Sequence, residues 1–130
     1  MIRVLLVDEQ AVVRQGLQMR LALEPDLEVV GVAKSGEEAL ALARTITPDV
    51  VVMDVDMPGV DGFEAIRQVR EALPGVAVIV LTLLEGKDVR AQALQAGALA
   101  FVEKQGGAEP LLLEIRRAAT SGVAGEGRPG

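Results

Sequence analysis

The stretch that decides the fold runs from Val50 to Gly62 and reads Val-Val-Val-Met-Asp-Val-Asp-Met-Pro-Gly-Val-Asp-Gly. Its first part, Val50–Met53, predicts a strand that is buried on both faces, because no polar side chain interrupts it. Asp54 follows this strand directly, and the later Pro-Gly and Asp-Gly pairs are typical of a loop that opens a helix. The stretch therefore predicts a buried parallel strand that ends at an aspartate, followed by a turn and a helix.

Strand and helix patterns alternate on both sides of this stretch. The other predicted strands are Ile2–Val7, Glu28–Ala33, Val76–Leu81 and Ala100–Val102. Four helices are predicted at Val12–Leu23, Gly36–Arg44, Asp88–Ala96 and Glu109–Ala119, and a further helix is predicted after Asp61. The helix after Asp61 has an inward stripe of Phe63, Ile66, Val69 and Leu73, and the last helix has Leu111, Leu112, Ile115 and Ala119 at helical spacing. This alternation predicts an α/β fold with helices on both faces of a parallel sheet and right-handed crossovers. Five strands and five helices in this length favour a flavodoxin-like doubly wound (βα)5 domain with strand order 2-1-3-4-5.

Helix ends are also marked in the sequence. Ser35 is a candidate N-cap with Glu38 as its capping-box partner, and Asp61 is a candidate N-cap further along. Gly97 follows a helical pattern and is typical of a left-handed stop. These signals support the helix boundaries that the apolar periodicity suggests.

Composition limits the chemistry and the partners. The chain has 130 residues and a net charge of −6, with no cysteine and no histidine, so disulfides, zinc–thiolate sites and histidine bases are excluded. The absence of a basic block argues against direct nucleic-acid binding, and no apolar run reaches the length of a membrane span. We expect one domain at residues 1–121, a flexible glycine-rich linker or chain end at 122–130, and a cytoplasmic location.

Polar residues collect where the predicted strands end. Asp8 and Glu9 follow the first strand, Asp54 the third, Thr82 the fourth and Lys104 the fifth. Because ligands of doubly wound sheets bind at the carboxyl ends of the strands, we expect these side chains to meet, with the three carboxylates as neighbours. Hard oxygen ligands suit Mg²⁺ or Mn²⁺, while a lysine and a hydroxyl suit the oxygens of a phosphoryl group in transfer. One of the carboxylates can then act as the nucleophile.

Together these motifs resemble the CheY-like receiver domain of response regulators over Ile2 to about Ser121, and in detail the NarL/FixJ type. The resemblance rests on the following segments: Val7-Asp8-Glu9, Met53 to Gly62, Leu81-Thr82, Gly97-Ala98, Phe101 to Lys104, Pro25 to Gly31 and Glu114 to Gly122. It implies a domain that accepts a phosphoryl group from a sensor histidine kinase and controls an output domain. In this type of regulator that output is usually a C-terminal helix-turn-helix DNA-binding domain, so DNA binding would belong to the output domain.

The resemblance also implies roles for matched positions. Asp54 would be the phosphoacceptor, and Glu9 would ligate Mg²⁺ together with Asp54 and the backbone carbonyl of Asp56. Asp8 would hold a metal-bound water. Lys104 would pair with Asp54 at rest and with the phosphoryl group afterwards. Such a domain is not an enzyme in the ordinary sense, because it catalyses only its own phosphotransfer and slow autodephosphorylation.

Two further positions match the family's switch. Thr82 would move toward the phosphoryl oxygen, and Phe101 would follow inward, which changes the face made by the fourth helix, the fifth strand and the fifth helix. That change would alter homodimerisation or the hold on the output domain. The kinase is expected near the first helix, with Arg14 and Gln15 as contacts.

Other interpretations remain open at this point. Asp54-Val55-Asp56 is similar to the nucleophile motif of haloacid-dehalogenase-type phosphatases, although the chain lacks a cap domain. Glu9, in place of the more frequent aspartate, and Leu83, in place of a small residue, are compatible with a receiver-like binding module that acts without phosphorylation. An FMN-binding flavodoxin is disfavoured, because acidic residues follow the first strand where a phosphate loop would lie.

Overall fold

The computed structural model describes residues 1–55, 62–82 and 87–120. The strands are β1 (Ile2–Val7), β2 (Leu27–Ala33), β3 (Val50–Asp54), β4 (Ala77–Thr82) and β5 (Ala100–Glu103). The helices are α1 (Ala11–Leu21), α2 (Gly36–Ile46), α3 (Gly62–Ala72), α4 (Lys87–Ala96) and α5 (Glu109–Thr120), with a 3-10 turn at Lys104–Gly106. All strand pairs are parallel, and the sheet order is β2-β1-β3-β4-β5. The predicted fold and strand order are therefore confirmed.

The sheet is covered on both faces, because successive side chains of each strand point to opposite sides. Val51, Met53, Val78 and Val80 pack with buried residues of α2, α3 and α4. The alternate positions, represented by Val52 and Ile79, pack with α1 and α5, including Leu21, Leu111, Leu112 and Ile115. Every residue of β3 and β4 is buried, as the unbroken apolar runs predict.

The predicted helix faces are confirmed with small differences. Ile66 and Val69 of α3 are buried, and Phe63 and Leu73 pack against the same core from half-buried positions. In α5 the buried small residue is Ala118, whereas the spacing argument chose Ala119. Ala118 follows Ile115 by three residues, so the buried stripe keeps the three-and-four spacing of a helix.

The caps follow their sequence signals closely. The Ser35 hydroxyl accepts a hydrogen bond from the Glu38 amide at 3.1 Å, whereas the Glu38 carboxylate accepts from the Lys34 amide at 3.2 Å and not from Ser35 itself. Gly97 has a φ of 113° at the end of α4, a conformation that side chains other than glycine rarely adopt.

Several predicted features lie outside the described residues. They are the carbonyl of Asp56, the loop at Pro58 and Gly59, the cap at Asp61, Leu83 and the segment 122–130. Within the part of the chain that the structure describes, none of the helices combines the length and the hydrophobicity needed to cross a bilayer.

Candidate functional site

Two aspartates meet at the carboxyl edge of the sheet because their strands are neighbours. β1 and β3 pair with Val7 aligned to Met53, so the residues that follow, Asp8 and Asp54, lie side by side. Both side chains are almost completely buried, with 1% and 3% of each residue exposed. The strand order, which places β1 beside β3, thus brings together two carboxylates separated by 46 positions in the sequence.

Lys104 supplies the positive charge between them. Its Nζ lies 3.2 Å from Oδ2 of Asp54 and 3.3 Å from Oδ2 of Asp8, and only 11% of the lysine side chain is exposed. Burial opposes the charge on this ammonium, but the attraction of Asp54 and then of Asp8 outweighs burial, so the pKa of Lys104 is raised. One ammonium serves two buried carboxylates, and the cluster therefore keeps a formal charge of −1.

The turn that carries Asp8 is fixed by hydrogen bonds. Oδ1 of Asp8 accepts from the amide of Gln10 at 2.9 Å, which holds the carboxylate over the start of α1. The Arg14 guanidinium donates to the carbonyls of Asp8 at 2.7 Å and Glu9 at 3.2 Å. The sequence analysis predicts Arg14 as a kinase contact, which stays a prediction, but it does not identify this structural role.

The second oxygen of Asp8 indicates a place for a cation. Oδ2 is buried and has no hydrogen-bond partner among the described residues, although the Lys104 ammonium lies 3.3 Å away as an ion-pair partner. A buried carboxylate oxygen without a hydrogen bond is costly. Mg²⁺ is commonly held by one or two carboxylates together with water and phosphate oxygens, so Asp8 and Asp54 have the donor chemistry that such an ion requires.

Glu9 does not join this pair in the way the sequence suggests. Its side chain is exposed at the edge, whereas Asp8 and Asp54 are buried. Among the residues that the structure describes, no three acidic side chains are close enough to hold a metal ion together. In this conformation Glu9 therefore lies exposed beside the buried pair of Asp8 and Asp54, and its role as a third carboxylate of the site stays a prediction.

The two residues assigned to the switch lie near the site but in different environments. Thr82, the last residue of β4, is completely buried. Phe101 in β5 is half-buried against the core formed with α2, α3 and α4, and the Arg90 guanidinium carbon lies 5.9 Å from its ring centroid. That distance is within the range of a cation–π contact, so Arg90 of α4 covers the outer side of the ring.

Comparisons with known proteins agree with this geometry. The sequence-family model of the response regulator receiver domain matches residues 4–116 of this chain. The chain belongs to this receiver family. Response regulator GacA of Pseudomonas aeruginosa is 43% identical over 117 residues, which cover 90% of this chain and 55% of GacA. Transcriptional regulatory protein LiaR of Bacillus subtilis is 41% identical over 119 residues, which cover 92% of this chain and 56% of LiaR.

A solved receiver structure matches over nearly the full length. The receiver domain of the response regulator NarL from Mycobacterium tuberculosis aligns with a TM-score of 0.79 and 32% identity, covering 96% of this chain and 98% of that one. The chain is thus a receiver domain of two-component response regulators, and the NarL-type resemblance is confirmed. The chain spans about half the length of the curated relatives it matches.

Membership of the receiver family bears on the other functions that the sequence left open. Receiver domains are not classical enzymes, and the match does not favour a dehalogenase-type phosphatase or a flavodoxin. Receivers of this family act with histidine kinases and with output domains, and their chemistry generally depends on Mg²⁺.

Proposed function

We propose that Asp54 accepts a phosphoryl group from the phosphohistidine of a sensor kinase. An Oδ of Asp54 attacks phosphorus, the bond between phosphorus and the histidine nitrogen breaks, and the electron pair leaves with the imidazole. The product is an acyl phosphate on Asp54. The observation that carries this proposal is the Lys104 ammonium held 3.2 Å from Asp54 at a buried edge, where it can balance the added phosphoryl charge.

The neighbouring groups suit the remaining parts of the reaction. Mg²⁺ or Mn²⁺, when bound, neutralises phosphoryl oxygens, and we assign its ligands to Asp54, Glu9 and the carbonyl of Asp56, with Asp8 holding a coordinated water. The buried Oδ2 of Asp8, which accepts no hydrogen bond from the described residues, supports this assignment. Glu9 must turn inward from its exposed position to take part.

Phosphorylation then changes the output face in this proposal. Thr82 turns its hydroxyl toward a phosphoryl oxygen and leaves a space into which the Phe101 ring moves. That movement separates the ring from Arg90 and alters the surface of α4, β5 and α5. The altered surface changes homodimerisation or the hold on a C-terminal DNA-binding output domain, an output consistent with the name of the relative LiaR. The site of action is the cytoplasm, where the kinase draws on ATP.

Intact-mass measurement after incubation with acetyl phosphate tests the acceptor. We expect one phosphoryl group per wild-type chain in the presence of Mg²⁺, and none on Asp54→Asn. Asp88→Asn changes an exposed carboxylate on α4 and serves as the matched control, with labelling unchanged. Glu9→Gln should lower the response to Mg²⁺ without removing the acceptor.

Two outcomes would contradict the proposal. Labelling of Asp54→Asn at the wild-type level would place the acceptor elsewhere. A wild-type chain that takes up neither phosphoryl nor the mimic beryllofluoride in the presence of Mg²⁺ would instead support the receiver-like module that acts without phosphorylation.

A further inference from the structure

The half-buried side chain of Arg14 folds back over the turn that joins β1 to α1. One terminal nitrogen of its guanidinium donates to the carbonyl oxygen of Asp8 at 2.7 Å and to that of Glu9 at 3.2 Å. Among the residues that the structure describes, no side-chain hydrogen bond of Arg14 goes to a carboxylate. The arginine therefore binds the backbones of the two acidic residues and not their charged groups.

The end of α1 at which this guanidinium lies is unfavourable for a cation. The helix begins at Ala11, and the partial positive charge at a helix N-terminus repels cations. The first turn of α1 contains no acidic residue that would offset the repulsion, and the side chain of Gln10 makes no capping hydrogen bond there. The helix dipole thus does not hold Arg14 in this place, whereas the two carbonyl oxygens do.

The two acidic residues differ in how many hydrogen bonds hold them. The Asp8 amide donates to the Ala33 carbonyl at 3.0 Å, and Oδ1 of Asp8 accepts from the Gln10 amide at 2.9 Å. Asp8 therefore keeps two hydrogen bonds besides the one from Arg14. For Glu9 the bond from Arg14 to its carbonyl is the only hydrogen bond within the described part of the chain. The backbone conformation of Glu9 thus depends on Arg14 more than that of Asp8 does.

We propose that Arg14 is a positioning residue for the divalent cation of the phosphorylation site. By fixing two carbonyl oxygens it sets the backbone from which the carboxylates of Asp8 and Glu9 project. Glu9 then needs only a side-chain rotation to reach the cation, because the conformational freedom of its backbone is already lost on folding. Groups that orient metal ligands in this way typically change metal affinity by a factor of about 10 to 100. The inference rests on the proposed function, since the cation is the one assigned to Asp8, Glu9 and Asp54.

The sign of the change in metal affinity separates positioning from two other roles. Arg14 is itself a cation, so if its charge alone acted on the site, removing it would strengthen the binding of a divalent cation. A role confined to docking of the kinase, which the sequence predicts for Arg14, would leave the affinity for the cation unchanged. Loss of a positioning contact weakens the binding. Only the positioning role therefore predicts a lower affinity when the guanidinium is removed.

Titration with Mn²⁺, followed by the electron paramagnetic resonance signal of the free ion, measures this affinity without a phosphoryl donor. We expect Arg14→Met and Arg14→Gln to bind Mn²⁺ about tenfold more weakly than the wild type, because neither side chain brings a donor to the two carbonyls. Arg14→Lys should recover part of the affinity, since both hydrogen bonds come from one nitrogen and an ammonium also has its donors on one nitrogen. Arg44→Met removes the same charge from an exposed position in the last turn of α2 and should leave the affinity unchanged. Far-UV circular dichroism checks that each variant is folded during the titration.

An affinity of Arg14→Met for Mn²⁺ that equals or exceeds the wild-type value would overturn the proposal, and so would a wild-type chain that binds no Mn²⁺. Labelling by acetyl phosphate supplies the second measurement. At saturating Mg²⁺, Arg14→Met should reach the wild-type level of labelling, and the Mg²⁺ concentration for half-maximal labelling should rise about tenfold. Unchanged Mn²⁺ affinity in Arg14→Met, together with no labelling of Asp54→Asn, would overturn this inference and leave the acceptor assignment in place, so the two can fail separately.

Discussion

Replacing Lys104 with methionine should destabilise the metal-free domain by about 3–5 kcal/mol, because it leaves two buried carboxylates without their shared counter-charge. Methionine keeps much of the length of the side chain and removes the ammonium. The effect is therefore electrostatic to a first approximation. It concerns the resting domain and needs no phosphoryl donor.

The magnitude follows from the two ion-pair distances. At an effective dielectric constant of about 20, the Coulomb attraction across 3.2 Å to Asp54 is about 5 kcal/mol, and the contact at 3.3 Å to Asp8 contributes about as much. Removing the lysine also removes its own desolvation cost of several kcal/mol, so only part of this attraction appears as lost stability. The two Oδ2 atoms can be no further apart than the sum of these distances, about 6.5 Å, and at that limit their repulsion is still about 2.5 kcal/mol. Adding Asp8→Asn to Lys104→Met should therefore recover about 2 kcal/mol.

Urea unfolding in the presence of a chelator measures these differences. Far-UV circular dichroism is the suitable signal, because the chain has no tryptophan and no tyrosine. Lys34→Met is the matched control, since Lys34 is an exposed lysine before α2, and its effect should stay within about 0.5 kcal/mol. If the free energy of unfolding of Lys104→Met lies within about 1 kcal/mol of the wild-type value, the idea that Lys104 compensates two buried charges is refuted.

Three further predictions concern the α5 ion pair, the glycine at the end of α4 and the glycine inside α1. The Arg116 guanidinium donates to both oxygens of Asp26 at 2.9 and 3.0 Å, and these hydrogen bonds lower the pKa of Asp26 below its ordinary value of 3.8. The ion pair stabilises the folded state fully above the ordinary pKa of Asp26, and this stabilisation is lost as the pH falls through the lowered pKa. Arg116→Ala should therefore lower the urea midpoint at neutral pH. It should also make the urea midpoint of the variant fall less steeply than that of the wild type between about pH 6 and pH 2. Arg117→Ala removes the longer and more exposed ion pair with Glu114 and should leave the dependence of the urea midpoint on pH unchanged. Identical plots of urea midpoint against pH for the two variants would contradict the stabilising role of the Arg116–Asp26 pair. Gly97→Ala should lower the free energy of unfolding, measured in urea, by about 1–2 kcal/mol, because Gly97 has a φ of 113°. Gly16→Ala in dilute solution should raise the free energy of unfolding by about 0.5–1 kcal/mol, since an added Cβ meets no neighbouring atom within 4 Å. A lower free energy of unfolding for Gly16→Ala would show that the helix is strained there.

The sequence predicted secondary structure reliably where the conformation of a residue depends on its neighbours along the chain. Unbroken runs of β-branched residues identified β3 and β4, and Ser35 identified the start of α2 through its own hydroxyl. Element ends moved by a residue or two. The ends of β3 and β4 extend to Asp54 and Thr82, because backbone pairing with the neighbouring strand continues past the last apolar side chain.

The candidate site was predictable in its membership and less so in its geometry. The placement of Asp8, Asp54 and Lys104 at strand ends was enough to expect that they meet. The exposure of Glu9 could not be read from the sequence, because it depends on how the turn leaves β1. The structural role of Arg14 was missed for a similar reason, since its partners are backbone carbonyls that carry no sequence signal.

The amino-acid sequence by itself determined the alternation of strands and helices, the oxygen-rich chemistry available without histidine or cysteine, and the residues that end the strands. Only the tertiary structure decided that one ammonium lies between two buried carboxylates, and that an oxygen of Asp8 accepts no hydrogen bond from the residues that the structure describes. The reason is that hydrophobic patterning and turn propensity act between near neighbours, whereas burial and charge pairing depend on which distant strands lie side by side.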